Sequence, residues 1–403
     1  MVLKDKRILL GVCGGIAVYK SAMLARALIK AGALVQVVMT DAATKFVGPL
    51  TFEALTERAC LTDDNLFHTG GGVSHVEVAR NADLIVIAPA TATTIARLAG
   101  GFADNMLSAS VLASKAPILL VPAMHTAMWE SVPVQRNLTL LNPQQYRILP
   151  PAAGDLASGD VGPGRFPEVE DIFDAVCAVA SPQDLAGWRI AVTAGPTREP
   201  MDPVRFISNP STGKMGIEIA RAAQIRGAVV DLILGPTHLN PPAELATGSM
   251  NVRKVLTTKD MLDATKVALA GADALIMAAA PSDDRPAQFH EHKLHKADLP
   301  KTLQMEANPD ILKTLRPDFD KKVIVGFAAE TTSVVESGQQ KLVDKGLDLL
   351  FANPVDNGQG FGAAANQGYL LSKDGALVVV ESQSKFDVAN LILDQVLKIG
   401  KRK

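Results

Sequence analysis

Two strand–turn–helix openings, one near the start of each half of the chain, constrain the fold more than any other feature. The first runs from the apolar stretch Arg7–Val12 through Gly14–Gly15 into a helical pattern at Ile16–Ala31. Another apolar stretch, Leu34–Met39, follows at once. A strand, a helix and a strand in this order predict a parallel sheet, because parallel neighbours need a crossover connection.

The second opening has the same plan. The apolar stretch Trp188–Thr193 leads through a long polar loop to a helical pattern at Ile217–Arg226 and a strand-like stretch at Val229–Leu234. An antiparallel hairpin and a helix are expected at the end of the chain, around Lys373–Gly375. Further strands and helices are predicted at Leu84–Ala88, Thr94–Ala99, Met106–Ala113, Pro117–Pro122, Glu170–Ala180, Ala274–Ala279 and Val323–Phe327. The fold class is therefore α/β in both halves.

The stretch Pro150–Pro167 breaks the α/β pattern. It is too rich in glycine and proline to hold a helix or a central strand. Because a helix is expected after it, we interpret it as a flap within the first domain. The 403 residues fit two domains. We place the boundary at Ser181–Asp184, which predicts domains at residues 1–183 and 184–403.

Composition excludes several classes of protein. The formal net charge of −2 argues against a broad nucleic-acid surface, which needs a basic excess. The sequence has no run of 18 apolar residues, so we predict no membrane-spanning helix. The three cysteines are widely spaced, and the N-terminus does not resemble a secretory leader. Together these features predict a cytoplasmic protein.

Glycines and hydroxyl side chains follow the predicted strands of the first half. Gly14 and Gly15 come after the first strand, Thr40 after the second, and Pro89–Thr94 after the third. Ligands of open α/β sheets bind at such carboxyl ends, and a helix N-terminus favours phosphate. A tight turn or a helix cap would explain each residue equally well.

Two histidines of the first half are candidates for chemistry. His75 follows a glycine-rich stretch, and His125 follows a predicted strand end. A histidine titrates near neutral pH and can act as an acid or base. A single histidine is more often a hydrogen-bonded structural residue, so both interpretations stay open here.

Polar loops of the second half give weaker indications of a binding site. Asn209–Gly216 lacks the first glycine of a P-loop, so that motif is rejected. Asp283 and Asp284 follow a buried strand. The stretch His290–Lys296 holds three histidines and two lysines, but their spacing does not favour a zinc site. A basic loop facing a triphosphate is the preferred interpretation, and a solvated loop is the alternative.

Taken in order along the chain, the motifs resemble a known family, the bifunctional phosphopantothenoylcysteine decarboxylase / phosphopantothenate–cysteine ligase of coenzyme A biosynthesis. The resemblance covers nearly the whole chain. The stretches that carry it are Gly14–Lys20, Ala82–Ala90, Ala194–Pro200, Asp202–Asn209 and Gly326–Thr331.

The resemblance implies a flavodoxin-like domain that binds FMN and decarboxylates phosphopantothenoylcysteine to 4'-phosphopantetheine. The cofactor would carry the redox chemistry, and the protein would position it. His75, His125 and Ser158 match catalytic positions of this family. The FMN-binding residues it implies are Gly14, Gly15, Ile16, Thr40, Pro89, Ala90, Thr91, Thr93 and Ser108.

The first half departs from the family at three of these positions. His125 stands where the family usually has the asparagine held to bind the substrate carboxylate, and Thr93 where it favours asparagine. Ser158 stands where the family usually has a cysteine thought to protonate the product. A hydroxyl is a much weaker acid than a thiol. We therefore keep an alternative, in which the flavin domain is catalytically silent and serves as a scaffold for assembly.

For the second half the resemblance implies a Rossmann-like ligase domain. It would use CTP to activate 4'-phosphopantothenate as an acyl-cytidylate, which cysteine attacks to release CMP. Arg205 and Asn209 match positions for the acyl intermediate, and Lys293 matches a catalytic lysine. Mg²⁺ is expected with the triphosphate. The CTP-binding residues implied are Met277, Ala278, Ala279, Asp283, Lys293, Asn308, Pro309, Asp310, Ile311, Phe327, Lys341 and Lys345.

The resemblance also implies the assembly. Flavin domains of this family form trimers with active sites between subunits, and ligase domains form dimers. The two contacts together predict a homo-oligomer that closes as a dodecamer. A generic NAD-dependent oxidoreductase is a third interpretation, and the missing spaced-glycine fingerprint argues against it.

Overall fold

The computed structural model describes residues 2–66, 74–141, 145–156, 158–243, 245, 248–295, 301–355 and 365–401. The chain divides into two compact units, unit 1 (Met1–Pro182) and unit 2 (Gln183–Lys403). Each unit is an α/β structure built on its own mainly parallel sheet, which confirms the predicted fold class. No helix of the described part is long and apolar enough to cross a membrane.

Unit 1 contains a five-stranded parallel sheet in the order β2-β1-β3-β4-β5. Its central strands are buried along almost their whole length, as is typical of a parallel sheet covered on both faces. Two of the predicted strands, Arg7–Val12 and Leu34–Met39, have the predicted bounds. The sheet strands are β1 (Arg7–Val12), β2 (Leu34–Met39), β3 (Leu84–Ala90), β4 (Ile118–Pro122) and β5 (Tyr146–Ile148).

Nine helices belong to the described part of unit 1. Several begin at a side-chain cap: the Thr91 hydroxyl accepts from the backbone N–H of Thr94, and Asn105 caps the helix that follows it. The helices are α1 (Val18–Lys30), α2 (Asp41–Thr44), α3 (Pro49–Thr56), α4 (Ser74–Asn81), α5 (Ala92–Gly100), α6 (Met106–Leu112), α7 (Thr126–Trp129), α8 (Val132–Leu140) and α9 (Val169–Ala180).

The glycine- and proline-rich stretch forms an antiparallel hairpin of β6 (Ala152–Asp155) and β7 (Val161–Arg165), separate from the main sheet. We call this hairpin and its turn the flap. At its base, the backbone N–H of Met124 donates to the carbonyl oxygen of Gly164 at 3.0 Å. A Cβ on Gly164, whose φ is +144°, would lie 2.2 Å from the Met124 carbonyl oxygen. Only glycine therefore lets β7 lie this close to the start of α7.

Unit 2 contains an eight-stranded sheet in the order β12-β11-β8-β13-β16-β17-β18-β19. The first six strands in this order are parallel, and β18 and β19 extend the sheet as an antiparallel hairpin. The sheet strands are β8 (Arg189–Ala194), β11 (Val229–Leu234), β12 (Met250–Lys254), β13 (Ala274–Met277), β16 (Val323–Glu330), β17 (Leu349–Pro354), β18 (Ala365–Ser372) and β19 (Leu377–Ser384).

Two short antiparallel ribbons lie outside this sheet and carry loop residues of interest. They are formed by β9 (Arg198–Pro200) with β10 (Phe206–Ser208), and by β14 (Asp284–Pro286) with β15 (Met305–Ala307). The helices of unit 2 are α10 (Lys214–Ile225), α11 (Thr258–Gly271), α12 (Ile311–Leu315), α13 (Val334–Asp344) and α14 (Lys385–Gly400).

Candidate functional sites

A cleft of about 540 Å³ opens in unit 1 where β1 and β3 end. The sheet order reverses between these two strands, and ligands of doubly wound sheets bind at this switch point. The volume lies within the usual range of small-molecule sites. The cleft is lined by residues 14–17, 19 and 20 after β1, 89, 91 and 92 after β3, 123–125 and 128 around α7, and 155, 156, 158 and 164–166 of the flap.

The residues of this region fit a flavin. A Cβ on Gly15 would meet no atom within 4 Å, so the backbone of this turn faces open space. Thr40, directly after β2, is buried, yet its hydroxyl oxygen has no hydrogen-bond partner among the residues that the structure describes. A buried hydroxyl is normally hydrogen-bonded, so a bound polar group would complete it. Pro89 and Thr91 line the cleft from the end of β3.

Four predicted FMN-binding residues, Thr40 among them, are not part of the described lining of the cleft. Ala90 is fully buried in β3. The Ser108 hydroxyl is buried and donates to the carbonyl oxygen of Asn105, as part of the cap of α6. Thr93 is exposed in the first turn of α5. Of the predicted set, the structure brings together Gly14, Gly15, Ile16, Pro89 and Thr91 in the cleft.

His125 and Ser158 lie in the cleft, joined by a residue that the sequence analysis missed. The Asp160 carboxylate oxygen Oδ2 is 2.8 Å from His125 Nε2 and accepts from the Ser158 hydroxyl at 2.9 Å. The His125 Nδ1 accepts from the backbone N–H of Ala127 at 3.2 Å. The hydrogen bonds from His125 and Ser158 hold the pKa of Asp160 below its usual value. The only sequence indication was that Asp160 stands two residues after Ser158.

His75 lies elsewhere, in the first turn of α4, and does not line the cleft of its own chain. Its Nδ1 is buried and has no hydrogen-bond partner in the part of the chain that the structure describes. The glycine-rich residues 71–73 that precede it lie outside the described residues.

No cysteine replaces the thiol that the flap lacks. Cys13, Cys60 and Cys177 are all buried. Burial raises the pKa of the Cys13 thiol to about 11 although Thr94 donates a hydrogen bond to it, and burial raises that of Cys60 to about 12. Both thiols are therefore neutral near pH 7.

Two cations of the cleft share one carboxylate. Lys20 on α1 and Arg165 at the end of the flap both pair with Glu168, the former at 3.2 Å. The hydrogen bond from Lys20 lowers the pKa of Glu168. Lys20 belongs to one of the stretches that carry the family resemblance, whereas Arg165 and Glu168 had no predicted role.

In unit 2, three loops meet closely at the ends of β8 and β11. Gly195 (φ +84°) and Gly213 (φ +78°) approach each other, since a Cβ on Gly213 would lie 3.1 Å from the backbone nitrogen of Gly195. A Cβ on Gly235 would lie 1.9 Å from the carbonyl oxygen of Pro196. The strand order also reverses next to this place, between β8 and β13.

Asn209 and Arg205 both reach the loops that follow β13. The Asn209 amide nitrogen donates to the carbonyl oxygens of Ala280 and Pro281, at 3.3 and 3.0 Å. The Arg205 guanidinium donates to Asp202 and to the carbonyl oxygen of Leu294, the residue after Lys293. The structure thus brings Arg205 to the loop of the predicted catalytic lysine, and Asn209 to the segment that directly follows β13.

Asp283 and Asn308 also lie together. The backbone N–H of Asn308 donates to the Asp283 carbonyl oxygen at 2.7 Å, and its amide side chain donates to the Ser282 carbonyl oxygen at 3.0 Å. Arg285, which had no predicted role, donates to the Asn308 side-chain oxygen at 3.1 Å.

The remaining predicted CTP-binding residues surround the ends of β13 and β16. Lys345 pairs with Asp310, the cap of α12, at 3.1 Å, and Lys341 pairs with Glu330 at 2.6 Å. The Phe327 ring lies 5.5 Å from that of Phe351. Others follow directly in sequence: Met277 closes β13, Ala278 and Ala279 come next, and Pro309 and Ile311 flank Asp310.

The described residues contain no group of three or more histidine, cysteine, aspartate or glutamate side chains that could hold a metal ion. His290, His292 and His295 are described, while Lys296 lies outside the described residues.

Comparison with known proteins identifies the family of this chain. Residues 2–181 match the family model described as Flavoprotein, and residues 185–399 match the DNA/pantothenate metabolism flavoprotein C-terminal domain. The chain is 41% identical over 405 residues to the coenzyme A biosynthesis bifunctional protein CoaBC of Bacillus subtilis (strain 168), covering 100% of this chain and 99% of that protein. The chain belongs to the family of bifunctional coenzyme A biosynthesis proteins. The predicted family is thus confirmed.

Other members are about as similar. The CoaBC protein of Vibrio cholerae serotype O1 is 41% identical over 379 residues, covering 93% of each chain. A crystal structure of the C-terminal domain of a CoaBC protein is 37% identical and covers 55% of this chain and 100% of that one, with a TM-score of 0.47. As a member of a flavoprotein family, the chain has FMN as its expected cofactor, in agreement with the fit of the cleft in unit 1.

Proposed function

We propose that the chain makes 4'-phosphopantetheine in two steps, ligation in residues 184–403 and decarboxylation in residues 1–183. The observation that carries the proposal is the full-length similarity to proteins named as bifunctional in coenzyme A biosynthesis. In the first step, CTP activates the carboxylate of 4'-phosphopantothenate as an acyl-cytidylate, and the cysteine amine displaces CMP. Activation is needed because a free carboxylate is a poor electrophile.

The contacts of unit 2 support roles for individual residues in ligation. Lys293 is exposed and its loop is fixed through Leu294, so its ammonium group can stabilise the negative charge that develops during acyl and phosphoryl transfer. Asn209 and Arg205 would bind the acyl intermediate. Lys341 and Lys345 are paired with carboxylates and could exchange these partners for phosphate oxygens. Mg²⁺ would bind together with the triphosphate.

In unit 1, the turn Gly14–Ile16 and the residues Thr40, Pro89 and Thr91 would hold FMN, which supplies the oxidation of the substrate thiol and the later return of the electrons. The carboxylate can then leave as CO₂, because the oxidised thiol carbon accepts its electron pair. His125 would hold the substrate carboxylate, and the flap would exclude water from the cleft. Ser158, which lines the cleft from the flap, is the proposed group that passes a proton to the product.

His75 supports a site that is completed by a second copy of the chain. It does not line the cleft of its own chain, and its buried Nδ1 has no partner among the described residues. In a trimer of flavin domains His75 would serve the cleft of a neighbouring copy. Trimers of unit 1 joined through dimers of unit 2 would close as a dodecamer.

Mass spectrometry of the products formed from 4'-phosphopantothenate, cysteine, CTP and Mg²⁺ tests both steps. Formation of 4'-phosphopantetheine is expected, together with a yellow preparation. Accumulation of phosphopantothenoylcysteine would support the second candidate, a ligase whose flavin domain is a silent scaffold, which Ser158 and His125 favour. Formation of neither product would overturn both.

A further inference from the structure

Asp160 accepts hydrogen bonds from two side chains that line the cleft. Since His125 Nδ1 accepts from the Ala127 backbone N–H, the ring proton of a neutral His125 is on Nε2, which donates to Asp160. The Ser158 hydroxyl has one hydrogen, and it also points to Asp160. The Asp160 oxygen Oδ2 therefore accepts from both groups.

This arrangement conflicts with substrate binding as proposed above. A substrate carboxylate held by His125 needs the same Nε2 hydrogen, and neither His125 nor Ser158 has another one to give. The Asp160 carboxylate is ionised, since its two hydrogen bonds lower its pKa. Two carboxylates at one pair of donors also repel each other. The Asp160 carboxylate must therefore move away before the substrate carboxylate can bind to these donors.

We propose that Asp160 is a competing carboxylate, which occupies the donors of His125 and Ser158 until the substrate carboxylate displaces it. The inference rests on the proposed decarboxylase function. The Asp160 side chain is 59% exposed, so it can turn into water without losing a buried environment. When the bond to the carboxyl carbon breaks, CO₂ leaves. Once Ser158 has passed its proton to the product and regained one from water, both donors return to Asp160. No proton or electron passes to Asp160 in this exchange.

The consequence is a selective effect on ligands that carry a carboxylate. Such a ligand must displace Asp160, whereas a ligand without a carboxylate leaves the contacts of Asp160 intact. Asp160 therefore weakens the binding of the substrate relative to that of the decarboxylated product. If Asp160 had only a structural role, its substitution would change the affinity for both ligands alike.

The test uses two compounds that lack the thiol on which the proposed oxidation depends. One is 4'-phosphopantothenoylserine, and the other is its decarboxylated counterpart, the ethanolamine amide. Each is titrated into the full-length flavin-loaded protein, and the flavin absorbance change reports binding in unit 1 alone. Asp160→Asn and Asp160→Ala are compared with wild type. Glu130→Gln is the matched control, since it removes an exposed carboxylate at the end of α7, outside the cleft.

Both Asp160 variants should bind the serine compound about five-fold more tightly than wild type, as expected for the loss of one competing charged hydrogen bond. The dissociation constant of the ethanolamine compound should change by less than about two-fold, and Glu130→Gln should alter neither constant. The inference is overturned if both compounds bind more tightly to the same extent, or if binding of the serine compound is unchanged or weaker. These results would leave the proposed function of unit 1 unaffected. If the wild type holds no flavin or binds neither compound, the proposed function of unit 1 fails, and the inference fails with it.

Discussion

Arg205 and Leu294, 89 residues apart in sequence, are joined by a hydrogen bond from the Arg205 guanidinium to the Leu294 carbonyl oxygen at 3.2 Å. Asp202 reinforces this connection, because its Oδ2 accepts from the same guanidinium nitrogen and from the Leu294 backbone N–H. Its Oδ1 accepts from the backbone N–H of Val204 and of Arg205. The buried Asp202 therefore fixes the Lys293 loop relative to the loop of Arg205 and Asn209.

Asp202→Asn should slow ligation while leaving decarboxylation intact. An amide has one acceptor oxygen in place of two, so it cannot hold all four donors, and the Lys293 loop loses its fixed position. We expect a fall in the turnover of ligation of about 10- to 100-fold, as for misplaced catalytic groups. Decarboxylation of added phosphopantothenoylcysteine by the same preparation is the internal control. Ligation at the wild-type rate would show that Asp202 does not position the loop.

The same carboxylate predicts a pH dependence of stability. Burial raises the pKa of Asp202, but the hydrogen bonds from Val204, Arg205 and Leu294 outweigh it, so the pKa is lowered overall. A group with a lowered folded pKa stabilises the protein above its unfolded pKa of about 4, and this stabilisation is lost as the pH falls through the lowered value. Melting temperatures of wild type and Asp202→Asn should thus differ most near pH 7 and converge below about pH 4. A difference that is constant with pH would contradict this.

The sequence predicted most strands of the main sheets because they are apolar and buried, but β5, β12 and β17 were not predicted. The stretch Val229–Leu234 has the predicted bounds, and Ala274–Ala279 differs only at its end. The short ribbons, such as Phe206–Ser208, were not predicted, since three half-exposed residues leave no periodic pattern. The formation of these ribbons depends on contacts with loops that are distant in sequence.

The candidate sites were predicted less completely. Motifs identified Ser158 and His125 but not Asp160. The hydrogen bonds of Asp160 with these two side chains depend on how the flap folds over α7. Ser108 was predicted to bind FMN, while in the structure its hydroxyl is engaged in a helix cap. Hydroxyl residues serve as caps and as ligand-binding groups alike, so the sequence pattern does not distinguish the two uses.

Ser158→Cys should accelerate decarboxylation. A thiol is a far stronger acid than a hydroxyl, and the substituted side chain occupies the same place in the cleft. If protonation of the product limits turnover, the rate should rise at least about ten-fold, whereas Ser158→Ala should be slower than wild type. Single-turnover measurements, in which flavin absorbance is followed after mixing with substrate, separate this step from binding. A Ser158→Cys rate no higher than that of wild type would place the proton donor elsewhere.

Gly164→Ala should abolish decarboxylation and spare ligation. The added Cβ would lie 2.2 Å from the Met124 carbonyl oxygen at a φ of +144°, so β7 must move away from α7. The flap then no longer holds Ser158 beside His125 in the cleft. We expect a loss of decarboxylation of at least about 100-fold, as for other displaced catalytic groups. Gly159→Ala is the matched control, because its φ of +89° is equally unfavourable but its Cβ would meet no atom within 4 Å. Equal losses in both variants would show that backbone strain, and not the contact with Met124, is responsible.

A site shared between copies can be tested by mixing two inactive variants. If His75 serves the cleft of a neighbouring copy, His75→Ala and His125→Ala should each lack decarboxylation alone. After unfolding and refolding together in equal amounts, a cleft is complete when a copy with intact His125 lies next to one with intact His75. Random mixing in a cyclic trimer makes this true of about one cleft in four, so about a quarter of the wild-type activity should return. Each variant refolded alone is the control. If no activity returns while wild type recovers fully from the same treatment, His75 and His125 belong to the same copy's site or do not act together.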